Sequence, residues 1–537
     1  MEKYFRLLYP NEEKMANPGY LDHFMFIEQL GIDQMIRLRK DQFRGNSHLD
    51  LKQFFTCDPE IVEYRLAVME DMEQNPELFA ILEKLIPQIQ NIADMRRVLN
   101  TDGTVESSLF SIHIIEMYLE IMDFLKEKLL PLELNSQGFK TFQEIVADKT
   151  GGEEYQNLKK ETACLQTDIS HIKSITVGIN LNANFQAEEA GLLSVNTECF
   201  RQGNLMDKLL HPKKKGPFVC MTSLVPVQKT MDQNEQTSLN ISIQTALSSV
   251  FQKSIKSWEP AIHRFYMSNT DFLLGILDDL RFLTSAAAFM QEMKEKGLPM
   301  CRPKIAAMEE KRCSLKETYN PMVAIRVKDS PIVFNDFEFD ENGRFYIITG
   351  PNHGGKSVFL YNIGMVQALF QLGMFVPAKS AVISPVTHIF THFPASDENN
   401  YGKGRLESEC ERLGEVLGKI TENSLILLDE AFSSTSGTEA GYIASEVITA
   451  LGVIGCRGLF VTHIHDLPMK VSEFNSHPDN HGKIDNLAAQ MLSRENGTRS
   501  YKIVRMTPDG LSYAKDIAEK YGLRLDAIIA GKKDKTK

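Results

Sequence analysis

The sequence predicts an α-helical region followed by an α/β phosphate-loop domain, and three sets of residues carry that prediction. A short apolar strand runs through a glycine-rich loop into an apolar helix between Phe345 and Phe370. A second aliphatic run, Ser424 to Leu428, ends in Asp429 and Glu430. Upstream, Leu78, Ile81, Leu82, Leu85 and Ile86 recur at the spacing of one helix face, as do Leu273, Ile276, Leu277, Leu280 and Leu283.

The loop Gly350-Pro351-Asn352-His353-Gly354-Gly355-Lys356-Ser357 fits G-x-x-x-x-G-K-[ST]. Glycines in that pattern let backbone N–H groups converge on phosphate oxygens, and the helix that follows adds its positive N-terminal end. Lys356 is then placed to reach the β/γ-phosphates and the Ser357 hydroxyl to hold Mg²⁺. A chance glycine-rich turn is the competing reading. The order of strand, loop and helix, which the chemistry requires, weighs against it.

Leu425-Ile426-Leu427-Leu428 reads as a central parallel strand buried on both faces. A carboxylate at its C-terminal end suits a metal shell, and the next one suits water activation, so Asp429 is assigned to Mg²⁺ and Glu430 to catalysis. An ordinary solvated strand end would be preferred for a lone Asp-Glu, but not behind a Lys-Ser loop. A third strand, Gly458 to Thr462, ends in His463-Ile464-His465-Asp466. His463 is the candidate sensor of a γ-phosphate or its water. Half of a metal site is the alternative, and no other Cys/His cluster completes one.

On these motifs the stretch from about Pro331 to Ile529 resembles the ATPase domain of the MutS family of DNA mismatch-repair proteins. Thr349 to Ser357 resembles that family's T-G-P-N-x-G-G-K-S loop, with Asn335-Asp336 ahead of its strand. Val376-Pro377-Ala378 resembles its V-P-A segment, Asp429-Glu430 with Thr435-Ser436 its D-E…T-S block, and Thr462-His463 its T-H switch. Gly510-Leu511-Ser512-Tyr513-Ala514 is similar to the segment by which that domain closes on its dimer partner. Counting back from Glu409, the family's signature serine and threonine fall on Gly404 and Arg405. The serine hydroxyl is absent here, and the Gly404 N–H with the Arg405 guanidinium is expected to replace it in trans.

The resemblance implies an ABC-type ATPase using ATP and Mg²⁺, a homodimer with composite sites, and a helical lever and clamp whose ligand is DNA. The implied activity is ATP hydrolysis coupled to DNA binding, in mismatch repair or in recombination and branched-DNA processing. The alternative is an ABC-type P-loop ATPase with a structural or regulatory role away from mismatched DNA. A transporter ATPase is disfavoured by the lack of a membrane-associated element, and a chromosome-organising ATPase by the lack of long heptad arms. Only fold-level analogy supports a kinase.

Composition is compatible with this reading. The chain has 537 residues, 43% of them hydrophobic, enough for two to four cores. A net charge of -12 excludes a generally basic coat, so DNA contact is expected from a local patch or an encircling shape. The eight cysteines include no C-x-x-C and read as reduced thiols. Neither a signal peptide in Met1 to Tyr20 nor an apolar run of spanning length is visible. A cytoplasmic location is expected, nucleoid-associated if the source is bacterial, with no membrane partner.

In chain order, residues 1–50 read as an N-terminal segment too short for a sizeable domain. Within it Phe26-Ile27-Glu28 matches the F-x-E by which mismatch-reading relatives wedge an aromatic into DNA, but it sits in an apolar, helix-like run. Residues 51–320 read as a helical core and lever, opened by Asp58-Pro59-Glu60 and, after Asn75-Pro76-Glu77, by a second helix. The run from Cys57 to Arg65 and Asn75 to Leu78 resembles the opening of the MutS core and lever. A clamp-like insert is placed at about 165–236. It contains a half-buried strand, with Ile175, Val177, Ile179 and Leu181 alternating against polar residues and Gly178, and the basic run Lys213-Lys214-Lys215. Those three lysines are the candidate DNA-backbone contacts, and a solvated loop is the competing reading.

Helices are expected to resume near Thr237, Gly297-Leu298-Pro299 breaks them, and Arg302 to Pro331 reads as an irregular approach. The ATPase domain is placed at 321–530 and a disordered tail at 531–537. With only about 50 residues ahead of the lever pattern, no wedge domain is expected. DNA contact should then be made through the backbone, with little preference for a mismatch.

Overall fold

The structure is a computed structural model that describes residues 5–19, 21, 23–36, 50–98, 105–170, 173–181, 187–199, 201–202, 219–220, 270–327, 331–394, 405–432, 435–493 and 498–506. In its first part the elements are α1 (Glu12–Ala16), α2 (Met25–Gln29), α3 (Ile32–Met35), α4 (Pro59–Gln74), α5 (Pro76–Val98), α6 (Val105–Lys128), α7 (Gln137–Gly151), α8 (Glu153–Ser170), β1 (Ser174–Leu181), β2 (Ala187–Asn196), β3 (Arg201–Gln202), β4 (Val219–Cys220) and α9 (Asp271–Glu295). Then come β5 (Lys304–Ile305), β6 (Cys313–Thr318), α10 (Pro321–Arg326), β7 (Asn335–Phe339), β8 (Phe345–Thr349), α11 (Lys356–Gln371), β9 (Ser380–Ile383), β10 (Ile389–His392), α12 (Arg405–Leu417), β11 (Leu425–Asp429), α13 (Gly437–Ile454), β12 (Arg457–Val461), α14 (Val471–Asn475), β13 (Ile484–Ser493) and β14 (Thr498–Arg505).

The chain divides into two compact units. One comprises Met1–Phe5, Ala80–Glu133 and Lys140–Leu277. Its α6 and α8 are joined where the Tyr155 hydroxyl donates to Asp123 at 2.9 Å. β1 and β2 form an antiparallel pair in which Ile175 faces Val195, so the alternating run is a strand as its periodicity predicts. Lys213, Lys214 and Lys215 lie outside the described residues.

The other unit comprises Arg6–Phe79, Leu134–Phe139 and Asp278–Lys537. It holds a six-stranded sheet in the order β10-β11-β12-β8-β13-β14. All neighbours are parallel except the β13–β14 pair. A parallel centre explains why β11 and β12 are apolar along their whole length: helices cover both faces and every position is buried. On one face Phe345, Ile347, Ile426, Leu428 and Phe460 pack with Ala444, Ile448 and Leu451 of α13. The short strands β5-β9-β6-β7 make a second, four-stranded sheet. Here the expectation of an irregular Arg302 to Pro331 is corrected, because that stretch holds β5, β6 and α10. Cys313 and Leu315 face inward between the more exposed Ser314 and Lys316, and Asn320 caps α10 ahead of Pro321.

Buried Arg457 on β12 donates to the carbonyls of Arg312, Ser384 and Pro385, tying the large sheet to the loops of the small one. Burial lowers its pKa to about 10. The described N-terminal residues after Phe5 belong to this same unit. Phe26 is fully buried, edge-on to Phe55 at 5.0 Å between ring centres. Arg65 of α4 is also fully buried and donates to the carbonyls of Leu8 and Phe54. Thr56 and Gln371 exchange two hydrogen bonds, Thr56 N–H to the Gln371 carbonyl at 3.1 Å and Gln371 Nε2 to the Thr56 carbonyl at 3.0 Å. The approach to α4 is thus bonded to the C-terminal end of α11.

Candidate functional site

β8, β12 and β11 lie side by side and parallel, so the loop after Thr349, the Thr462-His463 pair and Asp429-Glu430 emerge at one edge of the sheet. Ligands of open parallel sheets gather at such carboxyl ends. The chain leaves β8 through Gly350 at φ +132°, passes His353 at φ +60°, and starts α11 from Gly355 at φ +88°. A Cβ on Gly350 would stand 2.9 Å from that of Ala489 on β13, so only glycine fits there. Gly354 N–H donates to the Pro351 carbonyl at 3.1 Å, closing the turn.

Lys356 is 5% exposed and folds over its own loop, donating to the carbonyls of Gly350 at 3.1 Å and Pro351 at 3.0 Å. Ser357 Oγ donates to Asp429 Oδ1 at 2.9 Å, bringing together the two residues predicted to share a metal. Burial raises the Asp429 pKa, and the hydrogen bonds from Ser357 and Tyr361 oppose the rise. A hydroxyl and a carboxylate in contact beside a phosphate loop form a hard oxygen donor set, which fits Mg²⁺. Among the described residues no group of three or more His, Cys, Asp or Glu side chains gathers as a metal cluster.

Glu430 follows with φ +50°, its N–H held by the Val461 carbonyl at 2.8 Å. Its Oε1 lies 2.9 Å from His463 Nε2, and both side chains are about two-fifths exposed, at 40% and 44%. Water therefore reaches this pair, whereas Asp429 is only 5% exposed. Ser436 caps α13 by accepting the Glu439 N–H at 3.4 Å, the structural use of the Thr435-Ser436 block. Asn335 accepts the Ile503 N–H at 2.8 Å, joining the start of β7 to β14.

One residue and one contact were missed from the sequence: Tyr361, and the use that Glu409 of the signature segment makes of its carboxylate. The Tyr361 hydroxyl donates to Asp429 Oδ2 at 3.0 Å. Its signal was its position four residues after Ser357, one helical turn along the same face. Glu409 on α12 accepts the Phe432 N–H at 2.8 Å and lies 3.3 Å from His392 Nε2, holding the backbone just beyond Glu430, where Phe432 has φ +66°. Of the proposed trans segment, Gly404 lies outside the described residues, as does Gly510 to Ala514. Arg405 is the first residue of α12.

The family model for MutS domain V matches residues 346–533, covering β8 from Tyr346 on, the loop, Asp429-Glu430 and His463. The family model for the MutS2 N-terminal domain matches residues 57–296. The chain belongs to the MutS family. Among curated relatives, the DNA mismatch repair protein MutS of Prochlorococcus marinus (strain MIT 9301) is 39% identical over 149 residues, 28% of this chain and 16% of that protein. Those of Chlorobium phaeobacteroides and Chlorobium phaeovibrioides are 34% and 35% identical over 250 and 251 residues, each 46% of this chain and 27% of theirs. The match to these MutS proteins thus spans less than a third of their length. Among the described residues of this MutS-family chain, no helix is long and apolar enough to cross a membrane.

Proposed function

We propose that the chain binds and hydrolyses ATP with Mg²⁺ and couples the cycle to DNA binding. The observation that carries this reading is the convergence at one sheet edge of Lys356, the Ser357–Asp429 contact and the Glu430–His463 pair. Gly350 to Ser357 receive the phosphates, and Lys356 exchanges two loop carbonyls for phosphate oxygens, a stronger charge-assisted contact. Ser357 and Asp429 would hold Mg²⁺, which would supply charge neutralisation at the phosphates. Glu430 orients the attacking water and accepts its proton, with His463 fixing the carboxylate and sensing the γ-phosphate.

Two such sites pair in a homodimer, each completed by Gly404 and Arg405 of the opposite subunit. ATP binding then becomes a change in dimer geometry that the helical levers transmit to DNA. Lys213, Lys214 and Lys215 contact the DNA backbone, and the location is cytoplasmic. Burial of Phe26 against Phe55 supports contact through the backbone rather than through an aromatic wedge.

Anisotropy with homoduplex, single-mismatch and four-way-junction DNA, with and without ATP at two salt concentrations, tests the reading. Binding should respond to ATP, fall steeply with salt, and differ little between mismatch and homoduplex. Changing all three lysines to Gln should weaken every substrate alike and reduce the log–log salt slope by about 2 to 3. Absence of DNA binding under all conditions would overturn the DNA reading. A strong mismatch preference lost on Phe26→Ala would overturn the backbone reading.

A further inference from the structure

The Asp429 carboxylate is gripped at both oxygens by one turn of α11. Ser357 Oγ donates to Oδ1 at 2.9 Å and the Tyr361 hydroxyl to Oδ2 at 3.0 Å. The Tyr361 ring is itself held, packed on Phe393 with 4.6 Å between ring centres. Burial and the neighbouring Asp429 charge push the phenol pKa upward, so the hydroxyl stays a donor through the neutral range. A half-buried tyrosine that spends its hydroxyl on a carboxylate beside the phosphate loop needs a reason beyond filling space, which phenylalanine would do.

We propose that Tyr361 is a positioning residue for the divalent cation: it fixes the rotation of Asp429 so that one oxygen faces the metal carried by the nucleotide. The inference rests on the nucleotide-binding reading above. A carboxylate that would face a cation beside Ser357 needs its plane held, and the donor on Oδ2 supplies that restraint. Outer contacts of this kind tune metal affinity by about 10- to 100-fold. Tyr361 touches neither phosphate nor water in this account, so it orients a ligand and is not itself catalytic.

The test is Tyr361→Phe in the full chain, read by binding of a fluorescent, non-hydrolysable ATP analogue while Mg²⁺ is titrated from an EDTA baseline. The affinity in EDTA should match wild type, and the Mg²⁺ midpoint should rise about tenfold. Phe393→Leu keeps the hydroxyl but frees the ring, and should move the midpoint the same way by less. An unchanged midpoint in Tyr361→Phe overturns the inference, as does an equal loss with and without Mg²⁺, which would mean general distortion of the loop. If wild type does not bind the analogue with or without Mg²⁺, the nucleotide-site reading itself fails, whereas binding by wild type with an unchanged midpoint in Tyr361→Phe removes only the role of Tyr361, so the two failures are distinguishable.

Discussion

His463 Nε2 stands 2.9 Å from Glu430 Oε1, joining the ends of the neighbouring strands β11 and β12. On the proposed reading this contact lets the histidine orient the carboxylate and register what occupies the space in front of it. His463→Ala should lower kcat for ATP about 100-fold while leaving the affinity for a non-hydrolysable analogue near wild type. Steady-state turnover alongside equilibrium binding separates the two. An unchanged kcat would remove His463 from the machinery.

A second prediction concerns stability. Gly373, just past the end of α11, has φ +74°, and a Cβ there would overlap Cβ of Arg65 on α4. Gly373→Ala should therefore destabilise this unit by about 1–3 kcal/mol, from left-handed backbone strain and displacement of a buried arginine. Urea unfolding followed by tyrosine fluorescence and circular dichroism measures it. A midpoint equal to wild type would mean that α4 does not pack against this turn.

The third prediction addresses the trans segment. If Arg405 completes the partner's site, Arg405→Ala alone should lose most turnover, and so should Lys356→Ala alone. Mixed subunits should recover about a quarter of wild-type activity, because half of the dimers are mixed and each retains one of two composite sites. Full turnover by Arg405→Ala would end the arginine-finger reading.

Much of the site was legible because its chemistry is local in sequence. Gly350 to Ser357 is one uninterrupted motif, and the four aliphatic residues before Asp429 announce a strand buried on both faces. What escaped was made by distant segments meeting. Tyr361 and Phe393 are ordinary aromatics until α11 and the end of β10 bring them together. Glu409 was noted for its place in the signature segment, yet its bond to the Phe432 N–H depends on how α12 lies against the loop after β11. The small sheet was missed because β5 spans only Lys304–Ile305 and β6 only Cys313–Thr318, runs too short for periodicity to separate from loop. The N-terminal segment looked too short for a domain of its own. Phe26, and Leu8 whose carbonyl accepts from buried Arg65 of α4, show its physical role, which is to pack into the unit that carries Gly350 to Ser357.

On the proposed function, phosphate capture and water activation fall to different residues of one site, and paired variants separate them. ATP-analogue binding and single-turnover hydrolysis should be measured for Lys356→Ala and Glu430→Gln in parallel. Lys356→Ala should lose tight binding by about tenfold or more for each charged hydrogen bond removed. Glu430→Gln should bind like wild type while hydrolysis slows by about 100- to 10,000-fold. Hydrolysis by Glu430→Gln at the wild-type rate, or undiminished binding by Lys356→Ala, would contradict that division of roles.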